Sequence, residues 1–362
     1  MQTAVAAIVE RVRAAHASGE PLCIQGGGSK SFYGGPPTGS VLDTTTLAGA
    51  ADHEPTELVV TAPAGMRVLE LEAQLAAHGQ CLAFEPPRFT AATTVGGMVA
   101  AGLSGPSRAS AGALRDHVLG MTLVSGSGEL LQFGGRVIKN VAGYDVSRLV
   151  AGSLGILGVI VEVSLKVLPR AAAETTLRFD YKPGEALAHL HAWAGRPLPL
   201  DASAWWNGSL IVRLRGSEAA VAEGTAALGG ETIDAAAAAP FWESLRDHTD
   251  PFFVAAEDAI EHHDATLWRL SLPQTAPLLG LAGDELIEWH GAQRWLVTAL
   301  PATEVRAAAA AASGHATAFR TRDRSTGVFA PLAPPLLAIH ERLKRAFDPK
   351  GILNRGRLLP GL

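Results

Sequence analysis

Two glycine-rich stretches carry the chemistry this sequence can support. The first, Gly26-Gly27-Gly28-Ser29-Lys30-Ser31, offers successive backbone N–H groups, two hydroxyls and an ammonium. A glycine turn can curl its N–H groups into a nest for an anion, and a pyrophosphate is the natural guest. The second stretch, Lys139 to Ile160, reads KNVAGYDVSRLVAGSLGILGVI and places Gly152, Gly155 and Gly158 among small apolar side chains. Glycine costs backbone entropy, so such a run marks backbone that must approach something closely. Together the two stretches point to a flat ligand with a phosphate tail. A third group, Thr93-Thr94-Val95-Gly96-Gly97, continues through Gly102, Ser104 and Gly105. There Thr93 or Thr94 can cap a helix whose open N–H groups face a phosphate or a ring carbonyl.

Two familiar phosphate motifs fit poorly. A dinucleotide motif of the G-x-G-x-x-G type needs a helix directly after the glycines. Residues 32–39 read FYGGPPTG and leave no room for it. A P-loop needs Gly-Lys-Ser/Thr, whereas Ser29 precedes Lys30 here.

The composition sets further bounds. Of 362 residues, 48% are hydrophobic and 18% charged, which describes a globular chain long enough for more than one domain. The formal charge is −5 with no clustered basic face, which argues against nucleic-acid binding. Residues 1–16 read as an amphipathic helix rather than a leader, and the apolar run from Leu149 to Val161 is too short to span a bilayer. The two cysteines, Cys23 and Cys81, form no metal spacing. A conventional iron–sulfur cluster takes about four thiolates, so this chain alone does not supply one.

These residues need elements to hold them. Strands are predicted at Leu22–Gln25, Ser40–Asp43, Leu58–Thr61 and Val159–Leu168, with a hairpin of Val118–Val124 and Glu129–Phe133. Helices are predicted at Thr3–His16, Val68–His78, Thr93–Ala101 and Pro335–Phe347. After Pro169 glycine thins out, and strands and helices alternate between Thr175 and Arg320. That pattern suggests an antiparallel sheet covered by helices on one face. The seven tryptophans fall in this middle part, where core and sheet packing is the ordinary reading.

The segments PLCIQGGGSKSFYG, TTVGGM, LRDHVLGMTLVSGSGEL, the Lys139–Ile160 run and the tail FDPKGILN resemble the flavoprotein group that includes vanillyl-alcohol oxidase and D-lactate dehydrogenase. Within it, GGGSKSFYG together with GLSGPSRASAG is similar to the FAD-binding subunits of glycolate oxidase (glycolate dehydrogenase) complexes. The resemblance implies an α+β fold, in which a two-subdomain PCMH-type FAD-binding domain carries an inserted antiparallel-sheet cap. Its parts would be residues 1–170, a cap at 171–325, and a C-terminal segment at 326–362 that returns to the first domain. Gly26, Gly27, Gly28, Ser29, Lys30 and Ser31 would hold the pyrophosphate. Thr94, Gly96, Gly97, Ser104 and Gly105 would face flavin and ribityl. Gly155, Gly158 and Ile160 would pass under the adenine side, and Asn354 would approach the ring from the tail.

The resemblance further implies an FAD-dependent oxidoreductase acting on CH–OH groups, within a complex that oxidises glycolate to glyoxylate. Electrons would leave for an iron–sulfur subunit beside a second FAD subunit. The setting would be cytoplasmic, with membrane contact only through partners. No histidine or cysteine lies between Gly26 and Gly39, so the FAD is expected to be noncovalent. The tail departs from the family's Asn-Pro-Gly-Arg, reading Asn354-Arg355-Gly356-Arg357. The histidine-rich metal and substrate motif of related hydroxy-acid dehydrogenases is missing: His262, His263, His290, His315 and His340 are scattered. No metal site and no specific catalytic residue is therefore assigned, and oxidation is expected at the partner's flavin. Arg88, Arg108, Arg115, Arg322 and Arg324 are candidates to clamp a carboxylate. Tyr144 and Asp145 read as structural anchors. The rival readings are a self-sufficient flavin dehydrogenase for another small hydroxy acid or alcohol, and a non-catalytic flavin-binding assembly subunit.

Overall fold

The computed structural model describes residues 1–136 and 144–362; the KNVAG that opens the second glycine-rich stretch lies outside the described residues. Two sheets organise the chain. The first has five antiparallel strands in the order Asp52–Glu54, Val59–Pro63, Val159–Lys166, Val118–Val124 and Leu130–Gly134. Its central strands are almost wholly buried, as their β-branched runs require when both faces are covered. Beside it, Leu22–Gln25 and Ser40–Asp43 pair in parallel. Their C-terminal ends open into Gly26 and Thr44, whose N–H donates to the Gln25 carbonyl (2.9 Å).

The second sheet is built from residues 173–320 and has eight antiparallel strands. Side-chain alternation splits it into two apolar faces. Trp205, Leu210, Val212 and Ile287 pack with Leu187, Leu190 and Trp193 of the helix Pro183–Ala194. Trp268, Leu270 and Leu296 pack with the helix Ala302–Ala311 on that side too. The opposite face carries Ala204, Leu267, Trp295 and Phe319. It packs on the helices Ala235–Asp247 and Pro251–His262, and also on Tyr33, Leu103 and Leu154. The sheet thus has helices on both faces, not on one as the sequence suggested. The helix 251–262 escaped the sequence reading, although Asp250 caps it and Pro251 opens it. The helix that holds Pro240 starts at Ala235, because the Asp234 carboxylate accepts from the Ala236 N–H (2.9 Å) and recruits the alanine run. Six of the seven tryptophans are buried.

The chain then returns. The helix Pro334–Phe347 ends at Asp348, and Leu353 bridges to Leu22 in parallel. Lys344, almost without solvent, spends its donors on the Ile156 carbonyl (2.8 Å), the Leu353 carbonyl (2.7 Å) and Asp348 (2.7 Å). Asp348 in turn accepts from the Ile352 and Leu353 N–H groups (3.0 and 2.8 Å).

A second buried ionic cluster joins the two sheet systems. The Arg213 guanidinium, 3% exposed, donates to Glu85 (2.8 Å), Asp201 (2.6 Å) and the Ser107 hydroxyl (2.6 Å). Burial works against the Glu85 carboxylate, but Arg213 and Arg215 outweigh it and hold it below its ordinary range. Removing one member of such a cluster strands the others without a counter-charge. Arg213→Met should therefore lower unfolding free energy by about 3–5 kcal/mol, measured by urea denaturation. A loss below about 1 kcal/mol would show that the cluster does not join the two sheets energetically.

Candidate functional site

A cleft opens where the parallel strand pair ends. Its walls come from four separate parts of the chain: the loop after Leu22–Gln25, the helix Val95–Ala101, the loop 154–160, and the tail. Gly28 sits at φ +71°, a conformation that lets the loop turn on itself, and the Ser31 N–H closes it onto the Gly28 carbonyl (3.1 Å). Close packing excludes side chains along the rest of the wall. A Cβ on Gly27 would overlap the Ala92 carbonyl, and one on Gly26 would strike the Thr94 hydroxyl. On Gly155, at φ +76°, it would meet the Asn354 amide.

The cleft's lining combines polar and apolar groups. Ser29, Lys30 and Ser31 are among the polar ones, with the Thr93 hydroxyl donating to Ser29 Oγ (2.8 Å). Lys30 is 9% exposed and lies 5.2 Å from the Phe89 ring centroid. Burial pushes its ammonium down to about 7, against an opposing pull from Asp247. Ala100, Ala101, Leu154 and Ile160 form the apolar part. Asn354, at φ +42°, ties three walls together. Its Oδ1 accepts from the Ile24 N–H (2.7 Å), its Nδ2 donates to the Leu154 carbonyl (2.6 Å), and its N–H donates to the Leu22 carbonyl (2.9 Å).

Of the fifteen residues expected from the sequence, thirteen line this cleft: Gly26 through Ser31, Thr94, Gly96, Gly97, Gly155, Gly158, Ile160 and Asn354. Ser104 and Gly105 fall outside the lining. Ser104 Oγ accepts from the Leu114 N–H (3.0 Å), and the Gly105 carbonyl accepts from Trp289 Nε1 (3.0 Å), so both serve packing toward neighbouring segments. Sequence reasoning missed Gln25, Thr44 and Arg357. Gln25 and Thr44 become neighbours only when the two short strands pair in parallel. Arg357 donates to the carbonyls of Ser31 (3.2 Å) and Tyr33 (2.6 Å), so it braces the glycine loop from outside. The unusual RGR of the tail was the available signal. Arg355, which stands at the family's proline position, is exposed; its guanidinium donates within the tail, and its carbonyl accepts from the Thr38 hydroxyl (3.4 Å).

The other candidates separate clearly. Arg88 is bound to Asp247 (3.0 Å) and Glu72 (3.4 Å). Arg322 and Arg324 donate to the carbonyls of Glu261 (2.8 Å) and Gly34 (3.2 Å), and Arg115 is exposed beside Asp116. Asp145 caps the short helix after it by accepting from the Arg148 N–H (3.2 Å). Tyr144, expected as an anchor, is 94% exposed and anchors nothing among the described residues. Among the described residues, no group of three or more His, Cys, Asp or Glu is placed to hold a metal ion. Likewise no helix among them is long and apolar enough to cross a membrane.

A glycine-walled cleft whose lining offers cationic, hydroxyl and apolar groups has the features a flavin dinucleotide requires. Residues 3–134 match the FAD binding domain family, and the chain is an FAD-binding flavoprotein. Over 352 residues it is 44% identical to the glycolate oxidase subunit GlcE of Escherichia coli (strain K12), across 97% of this chain and 96% of that one. The chain belongs to the GlcE family of FAD-dependent oxidoreductase subunits. A D-lactate dehydrogenase of Archaeoglobus fulgidus is 32% identical over 166 residues, spanning 44% of this chain and 36% of that protein. An alkyldihydroxyacetonephosphate synthase structure shares the fold, with a TM-score of 0.65 at 15% identity, over 96% of this chain and 73% of its own.

Two outcomes are expected at this site. Gly27→Ala should leave the purified protein colourless in the visible spectrum, since the Cβ would displace the loop from Ala92. Retained yellow colour at wild-type stoichiometry would show that the loop tolerates the shift. Second, the Lys30 ammonium is the form that pairs with a phosphate, and its depressed value means the free protein loses that proton above pH 7. FAD binding above pH 7 should therefore take up a proton and weaken as the pH rises, by at most about tenfold per pH unit. Calorimetry in buffers of different ionisation enthalpy reads the uptake, and Lys30→Met should abolish it.

Proposed function

We propose that this chain is the FAD-binding subunit of a glycolate oxidase complex. In that role it takes part in oxidising glycolate to glyoxylate and passes electrons to an iron–sulfur partner, beside a second flavin subunit. The observation that carries this reading is the cleft itself, whose walls meet only when the loop 26–31, the helix after Thr94, the loop 154–160 and the tail are all in place. Thirteen of the fifteen expected residues gather there. The near full-length likeness to a glycolate oxidase subunit supports the same reading.

The chain's own residues bind and orient. The loop N–H groups, Ser29, Ser31 and Lys30 offer donors to a pyrophosphate. Gly155, Gly158 and Ile160 give a flat wall, and Asn354 fixes the spacing between the first strand and the loop at Leu154. When bound without a covalent link, FAD supplies the electron acceptor, and the protein supplies position and electrostatics. With only Cys23 and Cys81 present, electrons leaving the flavin need a carrier on another chain. We assign residues 1–170 and 326–362 to the flavin domain and 171–325 to the cap. We place the protein in the cytoplasm, touching a membrane only through its partners.

The test is the complex purified with either the wild-type chain or Gly27→Glu. Glycolate-dependent reduction of an artificial acceptor should be lost with Gly27→Glu while the subunits still co-purify. Full activity with the variant, or a wild-type chain that stays colourless with added FAD, would sink this reading.

A further inference from the structure

The face of the large sheet turned away from the glycine cleft carries an open groove. The apolar cluster under the helix Pro183–Ala194 and the one under Ala302–Ala311 stay separate, and the groove runs between them. Trp205 of the first cluster and Leu270 and Leu296 of the second line it. Beside Trp205 stands Tyr181, whose carbonyl accepts from Trp205 Nε1 (2.8 Å) and so fixes the indole as a rigid floor. On the other side runs the loop 277–283, which reads PLLGLAG. Leu279 and Leu281 of that loop pack against the second cluster, while Leu278 is 38% exposed at the groove. Apolar surface of this kind, rimmed by polar groups, marks a place where another molecule sits.

The rim is acidic. Asp180, Glu185, Asp284 and Glu285 line the groove, against Lys182 as the one cation in its lining. Asp180 is answered by Arg178 (3.2 Å) and Glu285 by Arg294 (3.7 Å). The other two carboxylates meet only neutral donors. Glu185 accepts from the Lys182 backbone N–H (3.0 Å), and Asp284 accepts from the indole of Trp206 (3.1 Å), the one tryptophan that is not buried. Neither forms an ion pair among the described residues. We propose that this groove is the docking site for another subunit of the complex, which seats an apolar side chain flanked by lysine or arginine. Contact over Trp205 and Leu278 would supply affinity, and the unmatched carboxylates would select a basic segment and reject an acidic one. The opposite face of the same sheet packs on Tyr33, Leu103 and Leu154, so a subunit seated here leaves the glycine cleft open. That the chain works in a complex rests on the proposed function above; the acidic, apolar character of the groove does not.

The test co-expresses the tagged full chain with its partner subunits and measures how much of each subunit it retains, per FAD bound. The wild type should retain them, and less so as salt rises, since the contact is partly ionic. Val254→Lys should behave like the wild type, because Val254 is exposed on the helix 251–262 at the sheet's other face. Leu278→Lys and Asp284→Lys should retain at least tenfold less of a subunit while taking up FAD at wild-type stoichiometry, which shows that they fold. Equal retention by all four proteins would overturn the proposal. So would an equal loss with Val254→Lys, or a wild-type chain that takes up FAD but retains no subunit. Retention that depends on Leu278 and Asp284, in an assembly that does not oxidise glycolate, would uphold the docking site and remove the glycolate reading.

Discussion

The architecture hangs on one nearly dry lysine. Lys344 and Asp348 stand one helical turn apart and close five hydrogen bonds between them, reaching the loop at Ile156 and the tail at Ile352 and Leu353. Isolated in the interior, either charge would be expensive; together, with every donor placed, they fix the end of the chain against the first sheet. Gly126 is part of the same constraint, because any side chain there would collide with Asp348. Once that junction forms, Leu353 lies beside Leu22. Asn354 then falls between the first strand and Leu154, and Arg357 reaches the carbonyls around the glycine loop. The cleft's geometry is therefore set from the far end of the sequence.

The glycines and the polar groups divide the work at the cleft. Glycines let four backbone segments approach without side chains between them, which gives the site its shape. Lys30, Ser29 and Ser31 add charge and hydroxyls to its lining. Burial makes Lys30 sensitive to its surroundings, since an ammonium with little solvent gains more from a phosphate than an exposed one does. Shape and charge thus come from different residues of one short loop.

The large sheet contributes through its seam with the first part of the chain. There the ionic cluster of Arg213 with Glu85 and Asp201 is fully matched, and it holds the two systems in register. The same surface also buries His248 against Phe253, Trp295 and Phe319, and burial, then Arg320 and Arg269, keep that imidazole well below its ordinary range. The seam is therefore kept basic by arginine rather than by histidine.

Much of the local structure was written in the sequence. The strands 22–25 and 40–43 have the residue bounds that their patterns predict, because period and glycine punctuation act over a few residues. The glycine loops were legible as ligand walls for the same reason: a backbone that excludes side chains announces itself by composition. What lay beyond one-dimensional reading was which walls would meet. Gln25 and Thr44 depend on a parallel pairing, and Arg357 on a tail docked by a lysine that reads as surface charge in an amphipathic helix. Ser104 and Gly105 left the cleft because their polar atoms found partners elsewhere. Local propensity is a property of neighbouring residues. Which charges are matched and which are left open is settled only when distant segments exclude water from between them.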